Sequence, residues 1–336
     1  MFKKIFKASC LILSVSTVIV ILFLVYFNLP VKNVESKVDM GVTFSNRYAK
    51  DIGLDWKETY SAMLDDLKVR KIRVPIYWDW VEPEEGKYDF SEVEWQLQEA
   101  QKRKAEVILV VGQKVPRWPE CFIPEWANAD DVKRKESLIK FVEAAVNHFK
   151  NYSAVKYWQV ENEPFLDFGV CPVADYALVD QEIKIVRDND SSRKIIVTDS
   201  GELSLWIPAA KRADIFGTTM YREVVNKRLG AWKYPIGPNF FKFKRLLISV
   251  FANQKNAFVI ELQGEPWLQG WTVNFPLSDQ LVSMNENKLR DNVQFAKNSG
   301  FSGVYIWGVE WWYWAKVQQN YPNVWNEAKK IFEENN

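Results

Sequence analysis

The feature that most constrains this 336-residue chain is an alternation: short apolar runs rich in β-branched residues, each followed by an amphipathic stretch of helical length. Candidate strands are Met40 to Phe44, Ile72 to Trp78, Val107 to Val111, Val155 to Val160, Ile195 to Thr198, Ile215 to Thr218, Ala257 to Glu261 and Gly303 to Trp307. Helical patterns fall between them at Trp56 to Lys68, Glu92 to Lys104, Val132 to Lys150, Tyr176 to Arg187, Lys242 to Asn253 and Leu281 to Asn298. Eight βα units in residues 38–336 fit an α/β fold closed into a (β/α)8 TIM barrel, a domain of ~250 residues plus insertions. A doubly wound open sheet is the alternative. It normally carries a glycine-rich phosphate turn after its first strand, and Thr43-Phe44-Ser45-Asn46-Arg47 has none.

Residues 8–27 form an uncharged stretch whose length, at ~1.5 Å per residue, matches a ~30 Å hydrocarbon core. Lys3, Lys4 and Lys7 precede it, which predicts a signal anchor with residues 1–7 in the cytoplasm, a stem over 28–37, and a catalytic domain over 38–336 outside. That makes the chain a single-pass cell-membrane protein. A cleaved signal peptide is the competing reading, but Tyr26 to Val31 offer no small-residue cleavage site.

The balance of 44 Lys plus Arg against 43 Asp plus Glu lacks the basic excess a nucleic-acid partner requires. A neutral partner is expected, and the 16 Trp supply flat rings that suit flat sugar faces, although core packing accounts for many of them. The single histidine, His148, lies in an amphipathic run, so a His-dependent triad or a catalytic zinc is not expected, nor is any cofactor. Nothing in the sequence calls for an oligomer, and a monomer is expected. Cys10 falls in the apolar segment. Cys121 and Cys171 fall in the loops after the third and fourth strands, where they either pair as a disulfide or stay as buried thiols.

Reactive groups in such a barrel come from strand exits. The fourth strand runs into Glu161-Asn162-Glu163-Pro164, and the seventh into Glu261. An ionised carboxylate ending an apolar strand is costly to bury, and usually serves an ion pair or a reaction. Two carboxyl groups facing each other across a barrel mouth can cleave a glycosidic bond. At ~5–5.5 Å one acts as nucleophile, whereas ~6.5–9.5 Å leaves room for a water. Glu161 shares strand parity with Glu163, and Glu265 also precedes a proline, so a shifted assignment stays open.

With these motifs the chain resembles the clan A glycoside hydrolases, families 5, 39 and 42 among them. Asn162-Glu163-Pro164, Glu261, Ile72-Arg73-Val74-Pro75, the stretch from Trp80 to Phe90 and Trp307-Gly308 carry the likeness. The resemblance implies a retaining O-glycosidase acting on a carbohydrate, with β-linked substrates expected. Glu163 would be the acid/base, Glu261 the nucleophile, and Asn162 the partner of the sugar 2-hydroxyl. Arg73 would support Glu261 and keep it ionised, and Tyr221 would hydrogen-bond to it. Trp307 would lie under the cleaved sugar, with Trp78, Trp80 and Trp118 as further candidates for the sugar platform. Glu310-Trp311-Trp312-Tyr313-Trp314 reads either as an elaborated eighth loop walling the cleft or as a helix packed on the barrel. A transglycosylase or a non-catalytic sugar-binding barrel would share these features.

Overall fold

The computed structural model describes residues 2–35, 37–226 and 230–335, with the backbone alone described for residues 2–12, 226 and 231. In chain order the strands are β1 Asp39–Thr43, β2 Lys71–Pro75, β3 Glu106–Val111, β4 Val155–Val160, β5 Lys194–Asp199, β6 Ile215–Met220, β7 Glu223–Asn226, β8 Gly230–Lys233, β9 Ala257–Gln263 and β10 Gly303–Trp307. Eight of them close into a parallel barrel in the order β1-β10-β9-β6-β5-β4-β3-β2. The antiparallel hairpin β7–β8 is inserted after β6.

Two apolar layers hold the barrel. The period of two along a strand sends alternate residues inward, and Ile108, Ile196, Ile215, Ile260 and Tyr305 form a small cluster of their own inside the barrel. The opposite faces pack against the helices in one large core. Gly41 makes the inner layer possible, since a Cβ there would lie 2.6 Å from the Tyr305 ring.

Three of the boundaries that differ from the sequence reading stand out. The second strand ends at Pro75, and Trp78–Val81 forms a helical turn instead of its continuation. The stretch from Leu281 to Asn298 is two helices, Leu277–Ser283 and Glu286–Asn298, because the Asn285 side chain caps the second by accepting from Asn287 N and Lys288 N. The seventh barrel strand, β9, does not end at Glu261 but continues to Gln263.

An N-terminal helix spans Phe2–Phe27, and its C-terminal end rests on the helix Pro238–Phe251 through Phe23 and Phe27 against Phe240 and Phe243. Among the described residues no helix is long and apolar enough to cross a membrane, so the expected span over 8–27 finds no support there. The side chains of Lys3, Lys4, Lys7 and Cys10 lie outside the described residues.

Candidate active site

β4 delivers its acidic residues through an unusual backbone. Glu161 and Glu163 both have positive φ, 57° and 46°, with Asn162 between them. Two left-handed non-glycine residues so close together are strained, a condition that concentrates at functional sites. The kink sends the carboxyls to different places. Glu161 accepts from the backbone N–H groups of Gln113 and Lys114 at 2.9 and 2.6 Å. Its carboxylate lies against Gly112, where a Cβ would come within 2.6 Å of it. Glu163 instead donates its own N–H to Thr198 Oγ1 at 2.8 Å, while its Oε1 accepts from Thr219 Oγ1 at 3.1 Å.

Glu261 faces the same space because of a bulge. β9 pairs Val259 and then Glu261 with the successive residues Thr218 and Thr219 of β6, so Ile260 is an extra residue. Register against β10 slips at the same place. Strict alternation would send Glu261 to the helix side whenever Ile260 points inward. The bulge re-aims it, as bulges beside active sites do. Arg73, fully buried on β2, then reaches three groups: Nη1 donates to Glu261 Oε1 at 2.5 Å, Nη2 to Asn162 Oδ1 at 2.7 Å, and Nε to Gln159 Oε1 at 2.8 Å. The Tyr221 hydroxyl donates to Glu261 Oε2 at 2.9 Å. Glu261 therefore carries a guanidinium on one oxygen and a phenol on the other.

The two carboxyls sit in unlike settings. Burial, and then the charge of Glu261, push the proton affinity of Glu163 well above the ordinary carboxylate range, with Glu120 and Asp199 adding to the rise and Lys114 opposing it. One group is thus buried with raised proton affinity, while the other is bound by a guanidinium and a phenol.

The expected aromatic platform divides. Trp307, half-buried at the end of β10, packs on Tyr221 at 5.6 Å and Trp267 at 6.2 Å, beside Glu261. Trp118 stands 64% exposed on the loop after β3, edge-on to Phe168. Trp80 is half-buried beneath Arg47 and Lys50, whose cations lie 4.6 and 4.5 Å from its ring. Trp78 is no platform. It is fully buried, stacked on Phe141, with its Nε1 donating to Glu82 Oε2, because the helical turn after β2 swings it into the core. His148 lies on the outer helix Asp131–Phe149 against Glu94, away from the mouth. Cys121 and Cys171 form a disulfide. The Glu310 to Trp314 run is buried in the helix Val309–Gln318, so the packed-helix alternative holds and the loop does not.

Several site residues escaped the sequence. Glu120, in a left-handed conformation beside Cys121, accepts from Asn162 Nδ2 at 3.2 Å and brings a third carboxyl to the pocket. Burial and the charge of Glu261 push it up to about 8. Arg117 pairs with both Glu265 and Glu310, so Glu265 is tied to the loop after β3 and not to Arg73. Loop conformation brings these groups together, and no sequence spacing announces it. Gln159 and Thr198 were nearer to view, since they lie two residues beyond Tyr157 and Ile196 on the inward face. Among the described residues no group of His, Cys, Asp and Glu could hold a metal ion.

A closed parallel barrel with two acidic side chains at its C-terminal mouth, one beside an arginine and a tyrosine, is the architecture of the (β/α)8 glycoside hydrolases. Residues 42–250 match the model of the cellulases of glycosyl hydrolase family 5, and the chain belongs to that family. No curated protein matches the chain. Among solved structures, xylanase 10B from Thermotoga maritima superposes with a TM-score of 0.59 at 14% identity, over 89% of this chain and 96% of the xylanase. A β-galactosidase from the psychrophilic Marinomonas ef1 gives 0.58 at 12% identity, over 88% of this chain and 59% of that one. The exo-β-1,4-mannosidase Op5Man5 from Opitutaceae bacterium strain TAV5 gives 0.57 at 15% identity, over 81% of this chain and 52% of the mannosidase. The chain therefore spans about three fifths of the galactosidase and half of the mannosidase, and at these identities the likeness is one of fold.

Proposed function

We propose that the protein hydrolyses β-linked oligo- or polysaccharide with retention, by double displacement. Glu261 attacks the anomeric carbon while Glu163 protonates the glycosidic oxygen, so the bond to the leaving sugar breaks as the bond to Glu261 forms. Glu163, now a carboxylate, takes a proton from water. That water attacks the same carbon, and Glu261 leaves with its charge restored. Arg73 and Tyr221 orient the nucleophile, Asn162 meets the sugar 2-hydroxyl, and Trp307 lies under the ring being cleaved.

The observation that carries this reading is the asymmetry of the pair: Glu261 is bound by Arg73 and Tyr221, while Glu163 is buried with raised proton affinity and takes a hydroxyl from Thr219. The test is turnover of aryl β-glycosides and soluble glucans and mannans by the wild type, Glu163→Gln and Glu261→Gln. Each variant is expected to lose at least ~10³-fold in kcat, and the first product observed by proton NMR to keep the anomeric configuration. Inversion, or equal turnover in all three proteins, would sink the assignment. A non-catalytic sugar-binding barrel would bind the glycans with no turnover in the wild type.

We further infer that the catalytic domain is held at the outer face of a membrane. The described side chains of the first helix, Leu13 to Phe27, cover about 22 Å at ~1.5 Å per residue, and Leu13, Ile21, Leu22 and Val25 are exposed apolar groups. Residues 8–12 would supply the rest of a span. Release of the full-length chain from membranes by alkaline carbonate, without detergent, would reject the anchor.

A further inference from the structure

Half of the barrel mouth is roofed by a continuous polar network. It starts at Pro116 in the loop after β3, whose carbonyl accepts from the Tyr77 hydroxyl at 3.2 Å. Tyr77, just past β2, shares a 2.6 Å hydrogen bond with Ser45 Oγ, just past β1. Ser45 donates its N–H to Glu310 Oε1 beyond β10 at 2.5 Å, and Glu310 Oε2 accepts from Arg117 Nη2 at 2.7 Å. Arg117 Nη1 then donates to Glu265 Oε1 beyond β9 at 2.6 Å. Its guanidinium lies 3.8 Å over the Tyr48 ring and 5.1 Å from that of Trp307.

β3, β2, β1, β10 and β9 are five consecutive strands of the closed barrel, and β9 stands diametrically opposite β3. Arg117 therefore carries the loop after β3 over the mouth to the far wall. The Glu310 side chain is fully enclosed and Arg117 nearly so, so these groups fill the space they cross. Trp271 closes the outside by stacking on Tyr48. Among the described residues, this network leaves the sector of β4, β5 and β6 without a roof. Exposed apolar side chains lie on loops reaching that side: Phe168 and Val173 after β4, Leu203 and Leu205 after β5.

We infer that the site is a blind pocket that holds one terminal sugar, so the enzyme works from the non-reducing end of its substrate. This rests on the roles proposed above for Glu163 and Glu261. Glu163 is carried by β4, on the open side, and protonates the oxygen of the departing sugar, which must leave through that sector. The sugar attacked by Glu261 lies between the carboxyls and the Trp307–Arg117 wall. A chain continuing from its non-reducing side would have to pass through Arg117, Glu265 and Glu310.

The decisive experiment uses the full-length chain with cello-, manno- and xylohexaose carrying a fluorescent tag at the reducing end, sampled within the first few per cent of conversion. The expected products are free monosaccharide and tagged pentaose. Tagged di-, tri- or tetraose formed from the start would overturn the pocket. Mass-spectrometric trapping of Glu261 by 2,4-dinitrophenyl 2-deoxy-2-fluoro-β-glycosides tests the catalytic roles separately: trapping together with internal cleavage sinks only the pocket. No trapping and no turnover of any hexaose sinks both. In the triple variant Arg117→Met, Glu265→Gln, Glu310→Gln, which removes the three charges together, the share of internally cleaved product is expected to rise at least tenfold. An unchanged share in a folded triple variant would deny these residues the blocking role, and if the variant does not fold, the wild-type products still decide.

Discussion

Arg73 Nη1 lies 2.5 Å from Glu261 Oε1, and the same fully buried guanidinium is bound to Asn162 and Gln159, so one side chain ties β2 to the exits of β4 and β9. The planar fork of arginine suits three acceptors in three directions, and an ammonium does not. Arg73→Lys is therefore expected to lower kcat at least ~100-fold and stability by about 3 kcal/mol, since it leaves buried acceptors unpaired. Steady-state kinetics and urea unfolding check it. A variant with wild-type kcat would show that Glu261 needs no such clamp.

Glu120 sets a pH limit through Glu163. Burial raises the proton affinity of Glu163 most, followed by the charges of Glu261, Glu120 and Asp199, and Lys114 lowers it. Removing one negative neighbour lowers it, so the protonated acid is lost at lower pH. Glu120→Gln is expected to move the alkaline limb of kcat/KM toward acid by about half a pH unit or more. Movement toward alkali would contradict the cluster.

Glu161 and Glu182 form a second buried acidic pair, behind the site. Glu161 accepts from two backbone N–H groups, whereas neither Glu182 oxygen meets a donor among the described protein groups, and a proton on the pair relieves the burial of two like charges. Burial, and for Glu182 also the charge of Glu161, raise both affinities. With folded values above unfolded ones, the native state binds more protons than the unfolded chain as pH rises past the ordinary glutamate range. Stability then falls with rising pH. Glu182→Gln is expected to be near neutral at pH 5 and stabilising by about 1 kcal/mol at pH 8, as read by urea unfolding at the two values. An equal effect at both would exclude the shared proton.

The Cys121–Cys171 disulfide spans 50 residues of sequence and fastens the loop carrying Arg117, Trp118 and Glu120 to the loop after β4. Cys121→Ser with Cys171→Ser is expected to cost about 2–4 kcal/mol of stability and to depress kcat. Thiol titration of unreduced, unfolded protein should detect Cys10 only. Three reactive thiols would deny the bridge.

How far this molecule was legible depended on range. The barrel could be read from its alternation because strand and helix periods are local, and each strand core lay within a few residues of its expected place. Boundaries went astray where a local event overrode the period: the turn at Trp78, the cap at Asn285, the extension of β9 past Glu261. Trp78 shows the cost of such an error, since ending the strand three residues earlier turned an expected sugar platform into core.

The resemblance to the clan A glycoside hydrolases, carried by short motifs, nominated Arg73, Asn162, Glu163, Tyr221, Glu261 and Trp307, and closure of the barrel brings these strands to one rim. Tertiary structure alone decided which way each acid points. Glu161 turns to backbone amides and Glu163 to the pocket because of two positive φ angles, and Glu261 turns inward because Ile260 is squeezed out of register. It also decided that Arg117, Glu265 and Glu310, scattered over the chain, meet above the mouth, and that Glu120 reaches Asn162. Local periodicity sets what each segment becomes, whereas a bulge or a loop crossing depends on the strands and charges it meets, which only the closed barrel supplies.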